Sequence, residues 1–142
     1  MNKKLLSIFI IISILVTALS VPTVAADNRA SNYMSICHAS LSPGSSSGEL
    51  VITYRVTAAV TGVTRIGALA MFIYRTDGSI ARTIVGSTSN GLMKTSGTTV
   101  SGTYRTTVTP GETYYCKVTF IVENSTGNDI RDFTTNTTVA PT

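Results

Sequence analysis

The sequence predicts an all-β protein: a seven-stranded antiparallel β-sandwich that follows an N-terminal secretory signal peptide. Three observations lead there. An apolar leader has the three-part layout of an export signal, period-two alternation runs through the remainder, and turn dipeptides cut that remainder into strand-length pieces. At 142 residues the chain holds one domain at most.

In the leader, Lys3 and Lys4 form a basic start, residues 5–19 are apolar apart from small hydroxyl residues, and Pro22 precedes the small-residue exit Val24-Ala25-Ala26. The expected division is a signal peptide over 1–26, cleaved after Ala26, and a single β-sandwich domain over 27–142. A membrane anchor needs about 20 apolar residues, and Ser20, Pro22 and Thr23 end this run early. No Cys directly follows the run and residues 137–142 have neither a hydrophobic tail nor a basic stop, so the expected location is extracellular, with membrane contact only through the leader before cleavage.

Composition narrows the function. The chain is 43% hydrophobic and 13% charged, which argues against a disordered tail or a coiled coil. From Asp27 onward it carries 9 basic and 7 acidic residues. Arg55, Arg65, Arg75, Arg82 and Arg105 are dispersed along the chain, whereas nucleic-acid binding needs a gathered basic surface, so no nucleic-acid partner is expected. One His and two Cys leave almost nothing from which to build a metal site or a Ser-His-Asp enzyme. A serine nucleophile still needs a base beside it. The expectation is a protein without cofactor, metal or catalytic residues.

Strands are expected over 33–41, 49–59, 64–75, 79–86, 98–108, 113–123 and 130–139. In the second, Leu50, Ile52, Tyr54 and Val56 share one face; in the sixth, Tyr114, Cys116, Val118, Phe120 and Val122 do. Asp77-Gly78 predicts a two-residue type I′ hairpin, Asn90-Gly91 repeats the signal within a longer loop, and Pro110-Gly111 suits a type II turn. A Ser/Gly-rich loop covers 42–48.

Cys37 and Cys116 form an even pair in a chain expected to leave the cytosol, so a disulfide between the first and sixth strands is predicted. Cys37 is in phase with Ala39 and Leu41, and Cys116 with Val118 and Phe120, which points both sulfurs inward. Closing such a loop contributes about 4 kcal/mol. A Cys37-His38 dyad is disfavoured, because neighbours on a strand point to opposite faces.

The segment Thr113-Tyr114-Tyr115-Cys116-Lys117-Val118 resembles the sixth strand of immunoglobulin-like domains, where a Tyr two residues before the Cys forms the tyrosine corner; Tyr114 holds that place. The first Cys falls on the first strand rather than the second, and the chain has no Trp. A broader likeness runs through Arg65-Ile66-Gly67-Ala68, Ile73-Tyr74 with Asp77-Gly78, Asn90-Gly91, Gly111-Glu112-Thr113-Tyr114-Tyr115 and Val118-Thr119-Phe120. That order of motifs is similar to a family of small secreted proteins of Firmicutes with no assigned function. The resemblance implies a bacterial exported sandwich of immunoglobulin-like or fibronectin-III-like kind, and no activity.

The third strand is apolar on both faces. Gly67, Leu69, Met71 and Ile73 make one row, and Ile66, Ala68, Ala70, Phe72 and Tyr74 the other. A covering loop explains this without function; the alternative is an exposed binding patch. Immunoglobulin-like sandwiches place strands three and six side by side, so the candidate patch is Phe72, Tyr74, Tyr115 and Ile121.

Candidate loop residues are Asn90 and the polar run containing Asn124, Asn128 and Asp129, followed by Asp132. Such oxygen ligands suit Ca²⁺, but they lack EF-hand spacing, and a polar hairpin turn between the sixth and seventh strands accounts for the same residues without a metal. Two function classes remain. One is a recognition module holding a protein or cell-surface ligand; the other is a structural or self-assembling surface protein.

Overall fold

Thr, Val, Ile and Tyr crowd the chain from residue 33 onward, and residues of this kind fit a pleated, half-buried surface. A computed structural model describes residues 32–142 and contains no helix among them. The expected signal peptide over 1–26 lies outside the described residues. The strands are β1 (Met34–Pro43), β2 (Glu49–Ala58), β3 (Val63–Arg75), β4 (Ile80–Val85), β5 (Met93–Lys94), β6 (Thr99–Thr107), β7 (Thr113–Asn124), β8 (Gly127–Thr134) and β9 (Thr138–Val139). One sheet has the order β1-β2-β6. The other runs β4-β3-β7-β8, with β5 added on β3 and β9 on β7. Every pairing is antiparallel. The protein is therefore an all-β, two-sheet sandwich.

Its core is the meeting of inward rows. Leu50, Ile52, Tyr54 and Val56 of β2 and Val100 of β6 are buried from one sheet, and Tyr114, Cys116, Val118, Phe120 and Val122 of β7 from the other. Burial of each large aliphatic or aromatic side chain stabilises the fold by about 1.5–3 kcal/mol.

Strand β3 departs from strict alternation. Its register against β7 shifts between Ala68 and Ala70, so Ala68 faces Phe120 and Ala70 faces Thr119, leaving Leu69 as the extra residue of a bulge. A bulge reverses the facing of everything beyond it. The core row is accordingly Ile66, Ala68, Met71 and Ile73, a mixture of the two rows that strict alternation gives. Ahead of the bulge, the segment leading into β5 lies against β3, where Leu92 O accepts from Ala68 N at 2.9 Å. Gly67 makes this approach possible: its φ is +146°, and a Cβ there would collide with the backbone of Leu92.

Two turns also differ from expectation. Gly78 has φ +84°, but among the described residues no non-glycine residue has positive φ, so Asp77 cannot occupy a type I′ turn. Instead Gly78 N donates to Arg75 O and Arg75 N to Ser79 O, the pattern of a type I turn closed by a left-handed glycine. The seventh long strand begins at Gly127 rather than near residue 130. Here the side-chain Oδ1 of Asn124 accepts from Thr126 N at 2.9 Å and Gly127 N at 3.2 Å, tightening the reversal so that Asn128 and Asp129 already pair with Glu123 and Val122.

Edge strand β1 is closed by a side chain. Asn136 donates from Nδ2 to Leu41 O and accepts at Oδ1 from Leu41 N, standing in for a neighbouring strand. Such capping removes a pairing template from the edge.

Candidate functional site

Beyond the bulge, the alternation of β3 sends Phe72 and Tyr74 to the outer face of the second sheet. Across the β3-β7 ladder Tyr74 lies opposite Tyr115, and Phe72 lies opposite Lys117. The Tyr74 and Tyr115 rings stack with centroids 5.2 Å apart and planes at 12°, and Phe72 tilts against Tyr74 at 6.4 Å. All three side chains are half-buried.

The register extends this patch in both directions. On β4, Ile80 pairs with Tyr74, Thr83 with Phe72 and Val85 with Ala70. On β8, Thr134 pairs with Lys117, Asp132 with Thr119 and Ile130 with Ile121. Ile80, Val85 and Ile130 are 53%, 70% and 52% exposed, so an aromatic centre is continued by aliphatic side chains in water. Sequence reasoning missed these three. The signal was available in the pairing itself, since residues opposite Tyr74, Ala70 and Ile121 must share their face.

Ile121 stands apart from the other candidate residues. It is on the outer face but only 3% exposed, opposite Gly67, whose other neighbour is Met93 of β5. The third strand is thus covered ahead of its bulge and open beyond it. The patch brings together Phe72, Tyr74 and Tyr115, while Ile121 lies in the covered part.

An ion pair crosses the patch. Lys117 Nζ lies 2.7 Å from Asp132 Oδ2, and Thr119 Oγ1 donates to Asp132 Oδ1 at 2.7 Å. The hydrogen bond to Asp132 raises the Lys117 ammonium above its usual range. Burial alone would raise Asp132, but hydrogen bonds from Lys117 and Thr119 outweigh it and hold the carboxyl below its usual range. Both groups are charged at neutral pH, giving the face one fixed dipole amid apolar side chains.

The opposite sheet presents a different surface. Ser40, Thr53 and Thr103 lie side by side across β1, β2 and β6, as do Ile36, Thr57 and Thr99 and then His38, Arg55 and Ser101. Hydroxyls and charges dominate there, so the two outer faces of the sandwich are chemically unlike.

The candidate loop asparagines serve their own turns. Asn90 Oδ1 accepts from Ser87 N and Leu92 N while its Nδ2 donates to Val85 O. Asn124 also accepts from Thr126 Oγ1 and donates to Thr61 O. Asn128 and Asp129 sit on β8 rather than in a loop, and Asp129 is ion-paired to Arg131 at 3.5 Å.

The expected disulfide is absent: Cys37 and Cys116 are free thiols. Their facing is as predicted, since both pack on the same core. What fails is register. Cys116 is bonded through its backbone to Thr135, and the next residue, Asn136, grips Leu41 of β1. Leu41 is four residues from Cys37, about 13 Å along an extended strand, whereas a disulfide needs Cα atoms within about 7 Å. His38, beside Cys37, accordingly meets Phe133 at 5.1 Å, farther along the sandwich. Burial pushes the Cys116 thiol up to about 12, so it stays protonated.

A serine motif escaped the reading of the sequence. Residues Gly44, Ser45, Ser46, Ser47 and Gly48 fit the Gly-x-Ser-x-Gly pattern of hydrolase elbows. That elbow requires a strand-to-helix turn, whereas here the segment joins β1 to β2, with Gly44 N donating to Glu49 O and Ser45 N to Glu49 Oε2. Tyr114 does form the corner its position suggests. It is fully buried, with its hydroxyl 3.2 Å from Thr109 O and 2.8 Å from Glu112 Oε2.

No family model, curated protein or solved structure matches the chain.

Proposed function

We propose that the protein is a secreted bacterial module of immunoglobulin-like topology, without catalytic activity, that recognises a protein or cell-surface ligand through the outer face of its second sheet. The strand orders β1-β2-β6 and β4-β3-β7-β8, together with the buried Tyr114 corner, support the topology. The observation that carries the functional reading is the stacked Tyr74–Tyr115 pair with Phe72, bordered by exposed Ile80, Val85 and Ile130. Rigid aromatic groups of this kind supply much of the energy at protein interfaces. A fixed Lys117–Asp132 pair would orient a partner without replacing that apolar contact.

The alternative is a self-assembling surface protein, favoured by one observation: β4 is an edge strand that carries Ile80 and Val85 in water. Two measurements separate these readings. Sedimentation velocity over a concentration series is expected to show a monomer, unchanged by Phe72→Ser. Labelled protein is expected to bind intact cells of the producing bacterium, and Tyr74→Ser with Tyr115→Ser to weaken that binding by about tenfold or more. A concentration-dependent oligomer dissolved by Phe72→Ser favours assembly instead. Cell binding that ignores both tyrosines removes the recognition reading from this face.

A further inference from the structure

Where the core row of β3 and β4 reaches the open side of the sandwich, two arginines replace hydrophobic residues. Arg75 follows Ile73 on the inward phase of β3, opposite buried Tyr114, and Arg82 of β4 lies opposite fully buried Ile73. Both line a cleft of about 380 Å³ between the β4 edge and the end of β6, with Ala81, Thr107, Val108 and Pro110. This cleft is separate from the aromatic face, and its chemistry is independent of any ligand held there.

The two guanidinium groups are not equivalent. Arg75 Nε donates to Glu112 Oε2 at 3.0 Å, so its charge is balanced within the protein. Arg82 donates from Nε to Thr107 O at 3.0 Å and forms no ion pair among the described residues. That bond crosses from one sheet to the other and anchors the guanidinium by its inner nitrogen, leaving the two terminal nitrogens as an unspent planar fork. A single uncompensated positive charge with a planar pair of donors matches one carboxylate, which Arg recognises through two parallel hydrogen bonds. Ala81, Val108 and Pro110 give the cleft an apolar lining for the aliphatic stem that carries it.

We propose that this cleft is a carboxylate-binding site, with Arg82 as the group that contacts the ligand. Guarding the edge strand against aggregation accounts for an inward charge on β4, but it does not require an anchored fork beside an apolar cleft. The ligand chemistry has two sources, a free small-molecule carboxylate or an acidic side chain on a peptide.

The test is an NMR titration of the purified protein, read at the Arg82 Nε–Hε signal and at the backbone amides of Thr107 and Val108. Probes are glutarate, the blocked peptide acetyl-Val-Glu-Val-amide, inorganic phosphate and chloride. Saturable shifts from glutarate or the peptide, with a Kd of about 1 mM or tighter, are expected. The tighter of the two identifies the source. Arg82→Gln is expected to weaken binding by about tenfold or more, read at the amides, and Arg82→Lys to weaken it less, because charge survives without the fork. Lys94→Gln, a cation outside the cleft, is expected to leave it unchanged. Amide spectra of each variant confirm folding before titration. The proposal is overturned if neither carboxylate saturates, if phosphate or chloride matches them, or if folded Arg82→Gln binds as the wild type does.

Discussion

Tyr114 and Cys116 stand two residues apart on the buried face of β7, and each makes a prediction at the scale of single side chains. The Tyr114 hydroxyl is shared between Thr109 O and Glu112 Oε2. Replacing Tyr114 by Phe keeps the ring and removes both bonds, so stability is expected to fall by about 1 kcal/mol, seen as a lower thermal midpoint. The same hydrogen bond is the foremost cause holding the Glu112 carboxyl below its usual range, ahead of Arg75. In Tyr114→Phe the Glu112 carboxyl is therefore expected to titrate at higher pH by NMR, whereas an unmoved titration would place the hydroxyl elsewhere in solution. Cys116 predicts an insensitivity. With both thiols free, a reductant has nothing to break, and the thermal midpoint is expected to be the same with and without it. A fall of about 10 °C on reduction would reveal a bridge instead, since native disulfides contribute about 2–5 kcal/mol.

Among the elements, β2 and β7 were legible because nothing interrupts their period of two; each alternates, and each buries the row its pattern names. Strand β3 was only half legible. Nothing in Ala68-Leu69-Ala70 announces a bulge, since three small or aliphatic residues fit either face, and the bulge is decided by the β7 partner and the segment packed against Gly67. Phe72, Tyr74 and Tyr115 emerged from alternation because they lie on unbroken stretches. Ile121 also alternates outward, but its covering comes from chain about 30 residues away in sequence, which no local pattern contains. Strand β8 was misplaced for a similar reason, as the run after Glu123 reads as a loop until Asn124 folds it into a tight turn. Gly67 offers a test of that covering. Gly67→Ala would meet both an unfavourable φ and the Leu92 backbone, so a loss above about 1 kcal/mol is expected, with faster hydrogen exchange at Ala68 N, whose acceptor is Leu92 O. A neutral effect would mean that the β5 segment leaves β3 in solution and that Ile121 rejoins the exposed patch.

For the whole molecule, the two outer faces divide the chemistry: hydroxyls and charge on one sheet, aromatic and aliphatic groups on the other. Carboxylates then tie the framework together. Glu49 accepts from Ser45 N and Arg105, Asp77 from Ser79, Glu112 from Tyr114 and Arg75, and Asp132 from Lys117 and Thr119. All four are held below the usual carboxylate range. A carboxyl with a lowered folded pKa adds stability that is fully present above its unfolded value, about 4, and is lost as pH falls through the folded value. Lys117 works in the other direction, its contribution being present below about pH 10.4 and lost only as pH rises through its raised folded value. Thermal midpoints are therefore expected to stay level from about pH 5 to 9 and to fall on acidification below about pH 4. Asp132→Asn removes one titrating member and is expected to make that acid limb shallower, while lowering the midpoint on the neutral plateau. Lys117, Glu112 and Asp132 are partly in water and Glu49 is more covered, so the expected loss per group is small and screened by salt, least so at Glu49, and the limb should shrink as ionic strength rises. A midpoint that stays level down to pH 2 would show that these carboxylate bonds are not kept in solution, and with them the dipole proposed to orient a partner on the aromatic face.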